Sequence, residues 1–223
     1  MREVLVFDFD GTLADTLEAG RSIFNRLAPD YGYETISPER IPELRHLNLR
    51  GLLKTLGVRQ RSLPGLMKKG KAMLRDQLDE LSPCPGVFEA LPAMRGSAVK
   101  CGVLTSNSEE NVDLFLKRHG VRHHFDFITS CRRLQGKAKY LKAIARECAV
   151  KPEELFYVGD EVRDVKACRK AGVPVVGVTW GFNSREALEK SGPGLVVDHP
   201  EELLAAINNR GTLHLPHHEG EEK

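Results

Sequence analysis

Residues 4–16 read Val4-Leu5-Val6-Phe7-Asp8-Phe9-Asp10-Gly11-Thr12-Leu13-Ala14-Asp15-Thr16. An apolar run ends in two aspartates one residue apart, then breaks at a glycine. Side chains alternate along a strand, so Asp8 and Asp10 at the end of a strand Val4–Phe9 leave it on the same side. Two carboxylates this close repel each other. They are tolerated when a cation lies between them or when one holds a proton. Gly11 lets the chain turn sharply straight afterwards. An Asp-x-Asp pair alone is also what a buried strand followed by a turn would show, so the rest of the chain has to decide.

Working outward, short apolar runs alternate with helical patterns. The expected strands are Val4–Phe9, Val99–Thr105, Phe125–Thr129, Leu155–Gly159, Val173–Val178 and a short Leu195–Val197. Helices fit between them at Val87–Met94, Glu109–His119, Ala138–Cys148, Arg163–Lys170 and Arg185–Lys190. Near-continuous apolar strands alternating with helices argue for a parallel sheet covered on both faces. The expected fold is α/β, a doubly wound Rossmann-like parallel sheet with its site at the carboxyl ends of the strands.

Residues 10–98 separate the first two expected strands, far more than one crossover needs. From Thr16 to Pro83 the pattern is helical, with apolar stripes at Ile23, Phe24 and Leu27, at Leu47, Leu49, Leu52, Leu53 and Leu56, and at Leu66, Met67, Met73, Leu74, Leu78 and Leu81. It closes on Ser82-Pro83-Cys84-Pro85-Gly86, a run of turn residues suited to a hinge. Residues 16–83 are therefore expected to form a small all-helical insertion, residues 1–15 and 84–210 the α/β core, and residues 211–223 a disordered tail carrying His214, His217 and His218.

Composition narrows the classes. A net charge of +2 gives no global pointer to nucleic acid or membrane. The five cysteines are odd in number and contain no Cys-x-x-Cys pair, which argues against a disulfide framework or a zinc site. The run Val4–Phe7, flanked by Glu3 and Asp8, is too short for the core of a signal peptide. The expectation is a cytoplasmic protein in a reducing compartment, with monomer and homodimer both open.

The run Asp8-Phe9-Asp10-Gly11-Thr12-Leu13-Ala14-Asp15-Thr16 resembles the first motif of the haloacid dehalogenase-like hydrolase superfamily, more narrowly its phosphoglycolate phosphatase-like branch. Further segments follow in the order that resemblance implies. Leu104-Thr105-Ser106-Asn107-Ser108 ends the second strand; a hydroxyl and an amide there either cap the next helix or hold phosphoryl oxygens. By resemblance Ser106 is the second-motif residue, assisted by Asn107. In Gly136-Lys137-Ala138-Lys139, a lysine in a first helical turn opposes the helix dipole and asks for an anionic partner. By resemblance that is Lys137, with Lys139 as rival, since many relatives have Lys-Pro where this chain has Lys-Ala. Val158-Gly159-Asp160-Glu161-Val162-Arg163-Asp164 resembles the fourth motif. Trp180 and Phe182, after the fifth strand, either line the mouth of the site or simply pack.

The resemblance implies a magnesium-dependent phosphatase acting on a small phosphorylated metabolite, phosphoglycolate first among candidates, through an aspartyl-phosphate intermediate. It makes Asp8 the nucleophile, Asp10 the acid and base, and Lys137 the neutralising cation. Mg²⁺ is held by Asp8, Asp160 and the Asp10 carbonyl, with Asp164 behind them. Thr12, Ser106, Asn107 and Arg45 make up the expected substrate- and phosphate-binding set, beneath a mobile cap formed by the insertion. The stretch 45–75 carries Arg45, Arg50, Lys54, Arg59, Arg61, Lys68, Lys69, Lys71 and Arg75 and no acid. Such a face would steer an anion, and Arg45 or Arg50 would grip a second anionic group. A phosphomutase uses the same aspartates. A dehalogenase needs no metal and lacks a second aspartate, so Asp10 argues against it; intact Asp8, Asp10, Lys137 and Asp160 argue against a non-catalytic binding module.

Overall fold

In the computed structural model, residues 4–98, 100–131 and 136–208 are described. Val99 and the tail from residue 209, with its histidines, lie outside them. Six parallel strands, β1 (Val4–Phe7), β2 (Lys100–Thr105), β3 (Phe127–Ser130), β4 (Leu155–Gly159), β5 (Val175–Val178) and β6 (Leu195–Val197), form one sheet in the order β3-β2-β1-β4-β5-β6. The chain leaves β1 in one direction for β2 and β3, then returns to its other side for β4. The strand order thus reverses between β1 and β4, and a doubly wound sheet places its crevice at such a point.

Alternation along β1 sorts the two faces. Leu5 and Phe7 pack with α5 (Val87–Gly96), α6 (Glu109–Arg118) and the insertion; Val4 and Val6 pack with α7 (Lys137–Glu147) and α8 (Val162–Ala171). Asp8 has the parity of Val4 and Val6, so it leaves the sheet on the side from which α7 and α8 begin.

The insertion holds α1 (Leu17–Tyr31), α2 (Ile41–Arg45), α3 (Leu49–Thr55) and α4 (Leu63–Asp76), joined by short 3₁₀ turns. Its two linkers run antiparallel: Asp15 N donates to Ser82 O (3.0 Å) and Cys84 N to Leu13 O (3.0 Å). Among the described residues no helix is long and apolar enough to cross a membrane.

Several element ends differ from expectation for local reasons. β1 stops at Phe7, because Phe9 O accepts from three successive amides, Thr12, Leu13 and Ala14, in a tight turn. β3 starts at Phe127 rather than Phe125, since residues 122–124 form a 3₁₀ turn. β5 starts at Val175, after Pro174, which has no N–H to give a ladder. Two more helices, α9 (Arg185–Lys190) and α10 (Pro200–Asn208), complete the described residues. No helix was expected at α10, although Pro at its first position with Glu201 and Glu202 behind it is a helix start.

Candidate active site

The loops after β1 and β4 face each other across the switch point. Asp8, Asp160 and Asp164 are buried there, and each offers one carboxylate oxygen within 4.8 Å of the others. Asp8 Oδ1 accepts from Phe9 N (2.7 Å), which fixes the carboxylate. Its Oδ2 accepts from Lys137 Nζ, which also donates to Asp164 Oδ1 (2.7 Å) and to the Tyr157 hydroxyl (2.7 Å). The Tyr157 hydroxyl in turn donates to Leu104 O (3.2 Å). The lysine is only 1% exposed, so its stem crosses the interior to reach the carboxylates. Lys139 stands exposed at the surface, its Nζ 5.0 Å from the centre of the Tyr140 ring. Of the two rivals, Lys137 is the one brought to Asp8.

Burial drives the electrostatics. It raises the Asp8 carboxyl to about 7 against the opposing pull of Lys137, and the neighbouring Asp164 raises it further. Burial and then the nearby Glu161 and Asp8 charges push Asp160 well up. Burial works against the charge on Lys137, yet Asp164 and Asp8 outweigh it and hold the ammonium. A buried cluster of carboxylate oxygens, in which Asp8 and Asp160 resist carrying their charge, suits Mg²⁺, which takes oxygen ligands and keeps several waters. The residues present fit that ion.

Asp160 is held from several directions. Thr12 Oγ1 donates to its Oδ1 (2.9 Å) and Phe182 N to its Oδ2 (2.7 Å). Gly11 has φ +75°, and a Cβ there or at Gly181 would collide with this carboxylate, so both loops close onto it because they carry glycine. Thr12, expected in the phosphate-binding set, is placed with its hydroxyl on Asp160.

Asp10 diverges from Asp8 because the strand has already ended. It meets Asn107, whose Nδ2 lies 3.2 and 3.3 Å from its two oxygens. Burial raises its pKa, an effect the Asn107 hydrogen bond opposes. Asp10, Ser106 and Asn107 line a cavity of about 310 Å³ beneath the insertion. Asn107 Oδ1 accepts from Ser108 N (2.8 Å) and Asn111 Nδ2 (3.1 Å), which orients the amide.

Arg45 is placed elsewhere. Its Nη2 donates to Thr179 O (2.6 Å) and Asn183 O (3.4 Å) on the core, and it lines a separate cavity of about 220 Å³. The contact seen for Arg45, expected to meet a substrate anion, is a tie between α2 and the loop after β5. Asn183 completes that tie. Its Nδ2 donates to Arg45 O and Leu47 O (2.9 Å each), its Oδ1 accepts from Val162 N (2.9 Å), and its own N donates to Asp160 O (3.2 Å). Arg50 is exposed, and Lys69 pairs with Asp30 (3.6 Å) from outside the basic stretch. Phe182 lines both cavities, and Trp180 Nε1 donates to Thr12 O (3.1 Å).

Sequence reasoning missed Tyr157, Asn183 and Arg163. Tyr157 was visible only as a hydroxyl-bearing residue inside an apolar strand. Arg163 is mostly buried beside Glu161, to which it donates, and its charge lowers Asp8 and Asp10, less than burial raises them.

The sequence profile of the haloacid dehalogenase-like hydrolases matches residues 5–178. The chain belongs to this family. A phosphoglycolate phosphatase of Synechococcus elongatus is 35% identical over 205 residues, which cover 92% of this chain and 97% of that protein. The Escherichia coli phosphoglycolate phosphatase is 28% identical over 141 residues, 62% of this chain and 54% of that one. Among solved structures, a protein from Clostridium acetobutylicum described as a predicted phosphatase superposes with a TM-score of 0.78 at 19% identity, covering 93% of this chain and 99% of the other. A haloacid dehalogenase-like hydrolase from Streptococcus pneumoniae gives 0.76 at 20% identity, covering 92% and 97%. At those identities the structures speak for the fold.

Proposed function

We propose that this hydrolase is a magnesium-dependent phosphatase that cleaves small phosphomonoesters through an aspartyl-phosphate, with phosphoglycolate as its leading candidate substrate. The observation that carries the reading is the division of labour between the two aspartates. Asp8 is locked beneath the cleft by Lys137 and the Phe9 amide, while Asp10 lines the cavity beside Ser106 and Asn107.

An Asp8 oxygen attacks phosphorus in line as the bond to the alcohol oxygen breaks. Asp10, whose burial favours the protonated form, gives its proton to the leaving oxygen. It then takes a proton from the water that opens the acyl phosphate. Lys137 offsets charge on Asp8 throughout, and Ser106 and Asn107 are placed to donate to phosphoryl oxygens. Bound by Asp8, Asp160 and the Asp10 carbonyl, with Asp164 behind, Mg²⁺ would offset phosphoryl charge. Tyr157 and Asp164 keep the Lys137 ammonium aimed. Phosphoglycolate is favoured by the 35% identical relative, which aligns over nearly its whole length.

The test is phosphate release from phosphoglycolate and p-nitrophenyl phosphate with and without Mg²⁺. Magnesium-dependent release that disappears in Asp8→Asn supports the reading. Conversion of a sugar phosphate to its isomer without phosphate release would replace it with a mutase.

A further inference from the structure

Beyond Asp10 the cleft opens into the cavity of about 310 Å³, and its two ends differ in chemistry. Asp10, Thr16, Ser106 and Asn107 form a polar floor. The walls come from three helices of the insertion: Phe24 and Leu27 of α1, Leu53 of α3, and Leu66, Met67 and Leu74 of α4. Among the lining residues only Asp10 and Lys71 carry charge. Lys71 already gives its main-chain carbonyl to Asn111 Nδ2 (3.2 Å), which ties α4 to α6 at the edge of the floor.

A two-carbon carboxylate leaving group uses the floor and leaves the walls uncovered. Pushed deeper, its carboxylate would lose water against leucine and methionine side chains, which is costly for a charge. An alkyl or aryl body gains from the same walls, at about fourfold in affinity for each fully buried methylene. Pockets of this size and lining commonly enclose apolar ligands fixed by a few polar groups at one end.

We infer that this cavity is a leaving-group subsite for phosphomonoesters of neutral, apolar alcohols or phenols, a substrate class in addition to the small acid esters. The inference rests on the assignment of Asp8 and Asp10 above. The phosphoryl group lies at Asp8, and the ester oxygen lies at Asp10. The apolar body extends between α1, α3 and α4. As the bond from Asp8 to phosphorus forms and the ester bond breaks, the Asp10 proton passes to the departing oxygen. A neutral alcohol is released into the apolar cavity, and water then returns Asp8 and inorganic phosphate.

The experiment compares kcat/KM for methyl, butyl and octyl phosphate with Mg²⁺, phosphoglycolate reporting general phosphatase activity. The subsite predicts a rise of about two- to fourfold per methylene until the cavity is filled. Leu53→Trp and, as an independent filling variant, Met67→Trp should each cut the octyl-to-methyl ratio at least ~10-fold, with folding checked by circular dichroism. Binding is read separately as the Tm shift given by octylphosphonate against methylphosphonate. A larger shift for the octyl compound that is lost in Leu53→Trp supports the subsite even in an enzyme that releases no phosphate, which would overturn only the phosphatase reading. Equal kcat/KM along the series with phosphoglycolate still cleaved, or equal Tm shifts from the two phosphonates, overturns the subsite alone.

Discussion

Below the cleft, Lys137, Asp8, Asp164 and Tyr157 form a buried polar network in which every charge has a partner. Above it, Phe24, Leu27, Leu53 and Met67 line open space, and α2 is tied to the core by main-chain carbonyls that meet Arg45 and Asn183. The floor is built for charge and fixed geometry. The roof offers apolar contact area. A charged reaction centre, as proposed for the floor, needs groups pre-aimed in a dry site, whereas the proposed leaving-group wall needs only shape.

The sharpest break of this contrast is Asp8→Asn. It should lower kcat by ~10⁴-fold or more and abolish the phosphorylated enzyme seen by mass spectrometry, with Tm held or raised because a repelling charge is gone. Retention of a tenth of wild-type turnover would break the claim that the floor carries the chemistry. Next is Lys137→Ala, which leaves two buried carboxylates without their cation. Urea denaturation should show a loss of ~3–5 kcal/mol, beyond any effect on rate. A loss no larger than that of a surface substitution would mean the network is not what holds the floor.

A third test uses pH. The folded-state pKa values of Asp8 and Asp160 lie above the unfolded carboxylate value, so their protonated forms favour the fold. In metal-free protein this contribution is complete below about pH 4 and is lost as pH rises through about 7 for Asp8. Lys137, whose pKa is raised, stays charged across that window. Metal-free protein should therefore have a higher Tm at pH 5.5 than at pH 8, on this account, and Mg²⁺ should shrink the difference by stabilising the ionised cluster. A difference of opposite sign, or one indifferent to Mg²⁺, would contradict a cluster strained by its own charge.

Asn183→Ala probes the roof. It strands Val162 N and Leu47 O and removes one of the two donors to Arg45 O, which keeps Ser184 N, so a cost of ~1–3 kcal/mol is expected, together with faster proteolysis in the linkers around residues 14–16 and 82–84. Unchanged proteolysis would mean the tie does not hold the roof. Lys139→Ala should do least, staying within about 0.5 kcal/mol in stability and twofold in rate. A loss approaching that of Lys137→Ala would reverse the choice between the two lysines.

The floor was legible in the chain because its parts sit at strand ends, where local pattern and position coincide. β4 and β6 fall where the apolar runs place them, the motif holding Asp160 directly follows β4, and the motif holding Lys137 opens α7. What the chain could not show was the set of contacts that depend on distant geometry. Arg45 looked free to meet substrate because its partners, Thr179 and Asn183, lie more than a hundred residues away. Thr12 looked like a phosphate ligand because its hydroxyl's partner, Asp160, is contributed by another loop. Asn183 carried no signal at all, since an Asn before Ser184 reads as an ordinary turn beside a helix cap.

The amino-acid sequence by itself determined the alternating α/β architecture, the placing of a helical insertion after the first strand, and the carboxylates and lysine that make the floor. These follow from side-chain period and from residue types adjacent along the chain. Only the tertiary structure decided that Asp8 and Asp10 part company, that Arg45 meets Thr179 and Asn183, and that the roof encloses an apolar cavity. Each depends on where a loop ends and on which side chains from separate helices meet, and neither is encoded in the spacing of residues along one element.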